Sequence, residues 1–381
     1  MEMNKKNSLS NIVLFTMFLP NIIVLFNNKL FSLYTSYSVI YNLFFIAVLI
    51  ILAPKPYKYK EVFFLIGITL FLMINSFLKT GAYGSALIIL EVFLLITVLS
   101  KIRLEKRFIK ISLLFMILLN IFLFLKSIQY LRAGYVEFNT NQLAMNAYIS
   151  FIYIVILNNN LKRNKALTFI SGILTVISIN NYDSRTTLIS MLAFIIFVFV
   201  IPKRTIIKRK VYRFIYSIII FMGFLIPYIY VQLWINQFTL RIQFMGKRLF
   251  TGREKMWMEL YQKVDSLEDL LFGVGSKGIF SNELANAHNI PLHMIMVSGL
   301  VICIIYYAVL IRKFEILTKN NFSVSRLGFE SLMGFWSMII YGYFENPIQP
   351  NRMLFIFLLL SIFINEITYK SSTIQTNLNK D

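Results

Sequence analysis

The sequence predicts an all-α, polytopic integral membrane protein, and three observations carry that expectation. Of 381 residues, 58% are apolar and only 14% are charged, whereas soluble domains are about half apolar and about a quarter charged. Mean hydropathy is +0.70. Apolar runs of about 20 residues, the length that spans a bilayer as helix, recur from Asn11 to Thr368. These features exclude a secreted disulfide domain, a disordered chain and an ordinary soluble enzyme.

Twelve spans are expected in one membrane domain covering 1–381, at roughly 9–28, 31–53, 61–78, 82–100, 109–128, 142–158, 166–181, 186–201, 213–233, 289–311, 327–345 and 352–368. The first has no small-residue cleavage site after it and reads as a retained helix. Orientation follows from charge. With both termini inside, the inner segments hold 25 of the 38 Lys and Arg residues, clustered at Lys55–Lys60, Lys101–Lys110, Lys162–Lys165, Lys203–Arg213 and Arg312–Arg326, as the positive-inside rule requires. The net charge of +21 therefore belongs to membrane topology and not to nucleic acid, for which no aromatic-interleaved basic domain exists. The single cysteine, Cys303, lies in an apolar run, so no intrachain disulfide forms. The abundance of Asn, Ile, Lys and Phe suggests an AT-rich bacterial genome.

The segment 234–287 is the anomaly. It has 54 residues, 7 of them basic and 6 acidic, and the charge pattern places it outside the cell. Loops this long are functional or disordered, and this one carries helix signals. Thr251-Gly252-Arg253-Glu254 fits a capping box with Thr251 as N-cap. Trp257, Leu260, Tyr261, Val264 and Leu267 follow at helical spacing, predicting an amphipathic helix of about three to four turns lying on the bilayer or the bundle. Arg253 then stands near free backbone N–H groups that favour an anion. The bland reading of it is a solvated arginine. Further on, Gly273-Val274-Gly275-Ser276-Lys277-Gly278 matches a dinucleotide fingerprint in form only, because no βαβ unit surrounds it. It is expected to be a tight glycine turn presenting backbone N–H groups.

Other polar residues fall at span ends. Ala287-His288-Asn289 closes the long segment at the mouth of the tenth span. The other histidine, His293, comes five residues later, about 140° around a helix, and reads as a packed core residue. Glu254 and Glu259 are likewise on different faces, so no catalytic metal and no cofactor is expected. Asn181-Tyr182-Asp183-Ser184-Arg185-Thr186 forms the outer turn before span eight, where Arg185 either enters an outward cavity or pairs locally with Asp183 for at most about 1 kcal/mol. Glu91 is the clearest intramembrane carboxylate and should face a cavity or a partner. Lys126, Glu330 and Glu345 lie near span ends, where snorkelling explains them as well as function does.

Three motifs, in order, resemble the O-antigen ligase and polymerase superfamily, the Wzy-type polysaccharide polymerases and WaaL-type ligases. They are Tyr182-Asp183-Ser184-Arg185-Thr186; Thr251-Gly252-Arg253 with Trp257 and then Leu271-Phe272-Gly273-Val274-Gly275; and Ala287-His288-Asn289 with Gly299. Asn139-Thr140-Asn141-Gln142-Leu143-Ala144 resembles a further, weaker family segment. A long outer loop with arginine early and histidine at its end is the family's layout. Thr251 stands where many relatives have serine, which keeps a hydroxyl N-cap. The likeness runs from about Asn139 to Leu310; before that only hydropathy agrees.

The resemblance implies a metal-independent glycosyltransferase acting on undecaprenyl-diphosphate-linked oligosaccharides at the outer face of the cytoplasmic membrane. Arg185 and Arg253 would clamp the diphosphate through bidentate forks, and His288 would be the general base for a sugar hydroxyl. Thr251, Gly252, Lys277 and Asn289 would support them, and the long loop would exclude water. Expected partners are the lipid bilayer, a flippase and a chain-length regulator. Between the two activities, a polymerase is favoured over a ligase, because an AT-rich genome leans away from lipopolysaccharide. A twelve-span transporter or a flippase of lipid-linked oligosaccharide is the competing class. Transporters commonly show repeated halves, whereas here the polar features mass on one outer face.

Overall fold

Helix dominates because an apolar chain in lipid must satisfy each backbone polar group within its own segment. The computed structural model describes residues 2–26, 28–79, 83–134, 139–161, 164–236, 243–244, 247–248, 253–275, 287–319 and 324–378. Its helices are α1 (Glu2–Ile23), α2 (Asn28–Leu52), α3 (Tyr59–Lys79), α4 (Tyr83–Leu99), α5 (Lys106–Ala133), α6 (Thr140–Leu161), α7 (Lys165–Asn181) and α8 (Arg185–Ile195), which runs on into a π turn at Ile196–Val200. They continue as α9 (Lys203–Ile206), α10 (Arg209–Ile235), α11 (Arg253–Gln262), α12 (Leu267–Phe272), α13 (Ile290–Lys319), α14 (Arg326–Tyr341) and α15 (Pro350–Leu378). A two-rung antiparallel ladder pairs Gln243 with Arg248 and Phe244 with Lys247.

Each of the twelve expected apolar segments overlaps one of these helices. Among the described residues, α3, α5, α6, α10 and α13 are long and apolar enough to cross a membrane, and Ser36–Leu52, Tyr83–Leu99 and Arg185–Val200 are shorter apolar helices. The apolar helices mark a membrane protein. Several helices outrun the apolar runs that predicted them, α5 and α15 at both ends, because intrahelical bonding does not stop where hydropathy falls.

The centre is formed by α6 and α14, buried on every side from Leu143 to Asn158 and over most of Gly328–Tyr341, together with the first turns of α15. Around them α5 packs on α6 and α7, and α14 packs on α8 and α15. The outer helices leave apolar side chains exposed on one face, among them Phe63, Leu70 and Phe77 of α3, which in water would be a liability and in lipid is solvation. Two carboxylates inside the bundle are held by hydrogen bonds. Asn42 Nδ2 donates to the buried Glu91 carboxylate at 2.6 Å, as expected of an intramembrane acid. Glu330 is not a snorkelling side chain: it is buried and accepts from Arg326 Nε at 2.5 Å and Asn159 Nδ2 at 2.9 Å.

The long segment is anchored to the bundle at two places. Val231, Met256, Trp257, Leu260, Ala287, Leu292 and Met296 form a small separate core joining α10, α11 and the start of α13. The apolar face of α11 thus lies on the bundle. That helix is shorter than expected, ending at Gln262, because Ser266 caps a new helix by accepting from Asp269 N–H at 3.0 Å. Leu267 therefore belongs to α12. The second anchor is a backbone contact. Gly299 interrupts α13 at φ +85, and a Cβ there would lie 2.1 Å from the Leu271 carbonyl oxygen. Gly273 faces it, also at φ +85, with a Cβ only 2.7 Å from Gly299 N. Val274 and Gly275 donate their N–H groups to Met296 O at 2.9 and 3.1 Å. The Val274 and Gly275 amides of the expected glycine turn are thus spent inside the protein, and Ser276, Lys277 and Gly278 lie outside the described residues.

Gly299→Ala should therefore undock α12, since both the left-handed backbone and the overlap with Leu271 resist a side chain; the combined cost is at least about 3 kcal/mol. Gly67→Ala, in open space on α3, is the control. Limited trypsin digestion checks this: cleavage at Lys263 should accelerate in Gly299→Ala alone, and identical digestion of the two variants would refute it.

Candidate functional site

The residues singled out from the sequence converge on one they left aside, Glu345. It lies in the turn between α14 and α15, with its side chain 12% exposed. Arg253 Nη2 donates to Oε1 at 2.6 Å, and His288 Nδ1 lies 2.7 Å from Oε2. Asn141 Nδ2 reaches Oε1 at 3.4 Å, which brings the Asn139–Ala144 segment to the same place. Burial pushes the Glu345 carboxyl up, but the His288 hydrogen bond and the Arg253 charge outweigh it and hold it below the usual carboxylate range. The group is ionised at neutral pH. Glu345 is therefore not a snorkelling span-end residue: its two oxygens serve two partners drawn from 92 and 57 residues away.

Local structure explains why His288 stands there. Trp257 Nε1 donates to Ala287 O at 2.7 Å, fixing the residue before it. Asn289, the residue after it, is fully buried; its Nδ2 donates to Gly223 O and Tyr343 O, both at 3.0 Å, and its Oδ1 accepts from Leu292 N–H at 2.9 Å. Asn289 is thus the N-cap of α13. It supports the site by holding the chain and has no donor left over for a substrate. Between these two pins His288 adopts φ +48, a left-handed backbone that histidine tolerates better than most residues and that persists because its surroundings over-determine it. Gly342 completes the fit: its carbonyl accepts from Ile290 N–H at 2.9 Å, and a Cβ there would lie 2.3 Å from Ile290.

Arg185 is placed by a comparable device. Asp183, at φ +55, ends α7 with Asp183 N–H bonded to Asn180 O at 3.0 Å and Ser184 N–H to Ile179 O at 3.2 Å, the Schellman pattern with aspartate where glycine is usual. The chain reverses within that turn, and Arg185 opens α8. Arg185 and Arg253 both stand within electrostatic reach of the Tyr230 hydroxyl, as does Glu254. The two arginines and His288 thus lie at one end of the bundle around Glu345 and Tyr230. Thr251, Gly252 and Lys277 lie outside the described residues.

One further cation belongs here. Arg352, in the first turn of α15, is buried, its Nε and Nη2 have no hydrogen-bond partner among the described residues, and it lies within electrostatic reach of Glu345 and Tyr341. An arginine seven residues beyond a glutamate, both at the break between two apolar runs, was the signal in the sequence; charges at the ends of apolar runs are common and mask it.

Chemically, the arrangement offers arginine forks for an oxyanion and an imidazole whose Nδ1 is committed to a carboxylate. The proton assignment that follows puts hydrogen on Nδ1 and the lone pair on Nε2. Among the described residues no group of three or more His, Cys, Asp or Glu side chains is placed to hold a metal ion. The fold and this site define an all-helical membrane protein with a cation-rich, histidine-bearing polar centre at one end. Set against protein-family models, curated proteins and solved structures, the chain matches none of them.

Proposed function

We propose that the protein is a polysaccharide polymerase of the cytoplasmic membrane. It would transfer a glycan from a polyprenyl diphosphate onto a second lipid-linked repeat unit at the outer face. The observation that carries this reading is the convergence of Arg253 and His288 on one ionised carboxylate, with Arg185 beside them. Phosphoryl oxygens need paired cationic donors, which the guanidinium supplies in a fixed fork. The acceptor hydroxyl is too weakly acidic to ionise near pH 7 and needs a positioned base. In the proposed step the acceptor oxygen attacks the anomeric carbon of the donor sugar, and His288 Nε2 takes its proton. The bond from that carbon to the diphosphate oxygen breaks, and the lipid diphosphate leaves with the electron pair onto Arg185 and Arg253. Glu345 is the positioning residue: it fixes the imidazole tautomer and stabilises the imidazolium that forms. The arginines supply the cationic charge at the leaving group, so the reading includes no metal.

Purified protein in vesicles, given lipid-linked repeat units on the side that carries Arg253, should lengthen glycans in the presence of EDTA. Movement of the lipid-linked oligosaccharide to the opposite side without lengthening would instead identify a transporter. Activity abolished by EDTA and restored by a divalent ion would remove the metal-independent mechanism.

The reading also includes the twelve-span topology, with 234–287 outside and Lys203–Arg213 inside. The native Cys303 is buried, so introduced cysteines report cleanly. In intact cells an impermeant maleimide should label Ser276→Cys and not Lys208→Cys; the reverse pattern would sink the orientation and the outer-face chemistry with it.

A further inference from the structure

Along the flank of the bundle a concave groove of about 690 Å³ opens between α7 and α8 over α6, its polar mouth at the end of α7 away from Arg185. One wall is Phe169, Ile173, Val176 and Ile177 of α7, the facing wall is Met191, Ile195 and Phe199 at the end of α8, and Phe151 forms the floor. Gly172 leaves that floor open, since a Cβ there would lie 3.3 Å from the Phe151 ring. Phe169, Ile173, Val176, Ile177 and Phe199 are all exposed, so the groove faces the surrounding lipid. Its polar residues gather at one end, where Lys165, Asn159, Thr168 and Arg326 line the mouth. Buried Glu330 engages Arg326 at Nε, 2.5 Å away, and its charge offsets one of the two cations, leaving a net excess of one among the described residues at the mouth.

We propose that this groove binds an anionic phospholipid of the leaflet opposite the candidate active site, headgroup at Lys165 and Arg326 and acyl chain along α7 and α8. The dimensions fit. From Lys165 to Ile177 the helix rises about 18 Å, against about 15 Å for half of a bilayer's hydrocarbon core. The volume falls in the range of about 300–1,000 Å³ typical of small-ligand sites. The chemistry fits as well, because a wall that is apolar along its length and cationic only at its mouth complements an acyl chain that ends in an anionic head. A net charge of one near an anionic headgroup favours it about five-fold over a zwitterionic lipid. The site is independent of the enzymatic reading, since none of its residues touches Glu345, Arg253 or His288.

The test uses the full-length protein carrying Ile173→Trp, reconstituted in vesicles of phosphatidylcholine into which brominated phosphatidylglycerol or brominated phosphatidylcholine is titrated. Tryptophan quenching above that of the unsubstituted protein reports groove occupancy. Brominated phosphatidylglycerol should quench at about one-fifth the mole fraction that brominated phosphatidylcholine needs, and Lys165→Gln should abolish the difference. Lys165 is exposed and at a helix start, so this variant is expected to fold even if Arg326→Gln, which removes a cation held by the buried Glu330, does not. Equal quenching by the two lipids, or an unchanged preference in folded Lys165→Gln protein, would overturn the proposal. So would displacement of brominated phosphatidylglycerol by a polyprenyl phosphate, which would give the groove to the carrier lipid.

Discussion

His288→Ala should abolish chain elongation while lipid-linked donor still binds, a loss of about 10²–10⁴-fold, the usual cost of removing an acid–base group. The expectation rests on position more than on residue type. His288 is held at φ +48 between two pinned neighbours, with Nδ1 2.7 Å from a carboxylate, so its remaining nitrogen is the one with chemistry to do. A histidine that merely closed the mouth of α13 would behave otherwise. Its removal would lower the amount of inserted protein and leave activity per folded molecule intact. That structural role is already filled by Asn289, whose side chain makes the cap. The decisive measurement is glycan length on gels per unit of membrane-inserted protein, alongside binding of the lipid-linked donor. Normal elongation by correctly inserted His288→Ala protein would remove the base assignment and leave the polymerase reading on the arginines alone.

Glu345→Ala should be costly twice over. Removing one member of a buried ion pair typically costs about 3–5 kcal/mol; Arg253 keeps about a fifth of its side-chain surface, 22%, so about 3 kcal/mol is expected. The same variant frees the imidazole to rotate, and activity should fall at least about ten-fold in protein that remains folded. Arg253→Lys should also fail, because a point charge restores the ion pair but not the fork that a diphosphate needs. The pH dependence has a definite sign. The folded Glu345 carboxyl titrates below its ordinary value because His288 and Arg253 overcome burial. The stability it contributes is therefore complete above the ordinary carboxylate range and is lost as pH falls through the depressed value. Wild-type protein should lose thermal stability on acidification through that window more steeply than Glu345→Gln. Parallel pH profiles, or a Glu345→Ala protein as stable and active as wild type, would show that the carboxylate does neither job.

Much of this fold was legible because lipid makes the code simple. Twelve apolar runs became helices; that the Thr140–Leu161 and Arg326–Tyr341 segments would be the centre was not legible, since both carry polar side chains that only packing buries. Arg185, Arg253 and His288 could be singled out because each sits at a helix start beside a break in hydropathy. What could not be read was which of many interfacial charges would be buried. Glu330 and Glu345 look alike in sequence, each near the end of an apolar run, and only packing shows that one anchors Arg326 and the other holds Arg253 and His288. Asn289 could be read as a supporting residue but, for a similar reason, how it supports could not be. A side chain that caps a helix and one that binds substrate are the same residue until their hydrogen-bond partners are known. The glycines around Gly273 resembled a ligand loop because backbone amides used internally and amides offered outward share one sequence pattern.

The long reach of the Glu345 contacts also bears on biosynthesis. The carboxylate is encoded 92 residues after Arg253 and 57 after His288. At a synthesis rate of about 5–20 residues per second, the histidine leaves the ribosome about 3–11 seconds before its anchor exists. During that interval the loop helix and the start of α13 can dock, but the carboxylate that pairs with His288 Nδ1 and Arg253 is not yet in place. The polar centre closes only when the turn between the last two helices has been threaded into place. A chain released before that turn lacks the Glu345 carboxylate on which Arg253 and His288 converge.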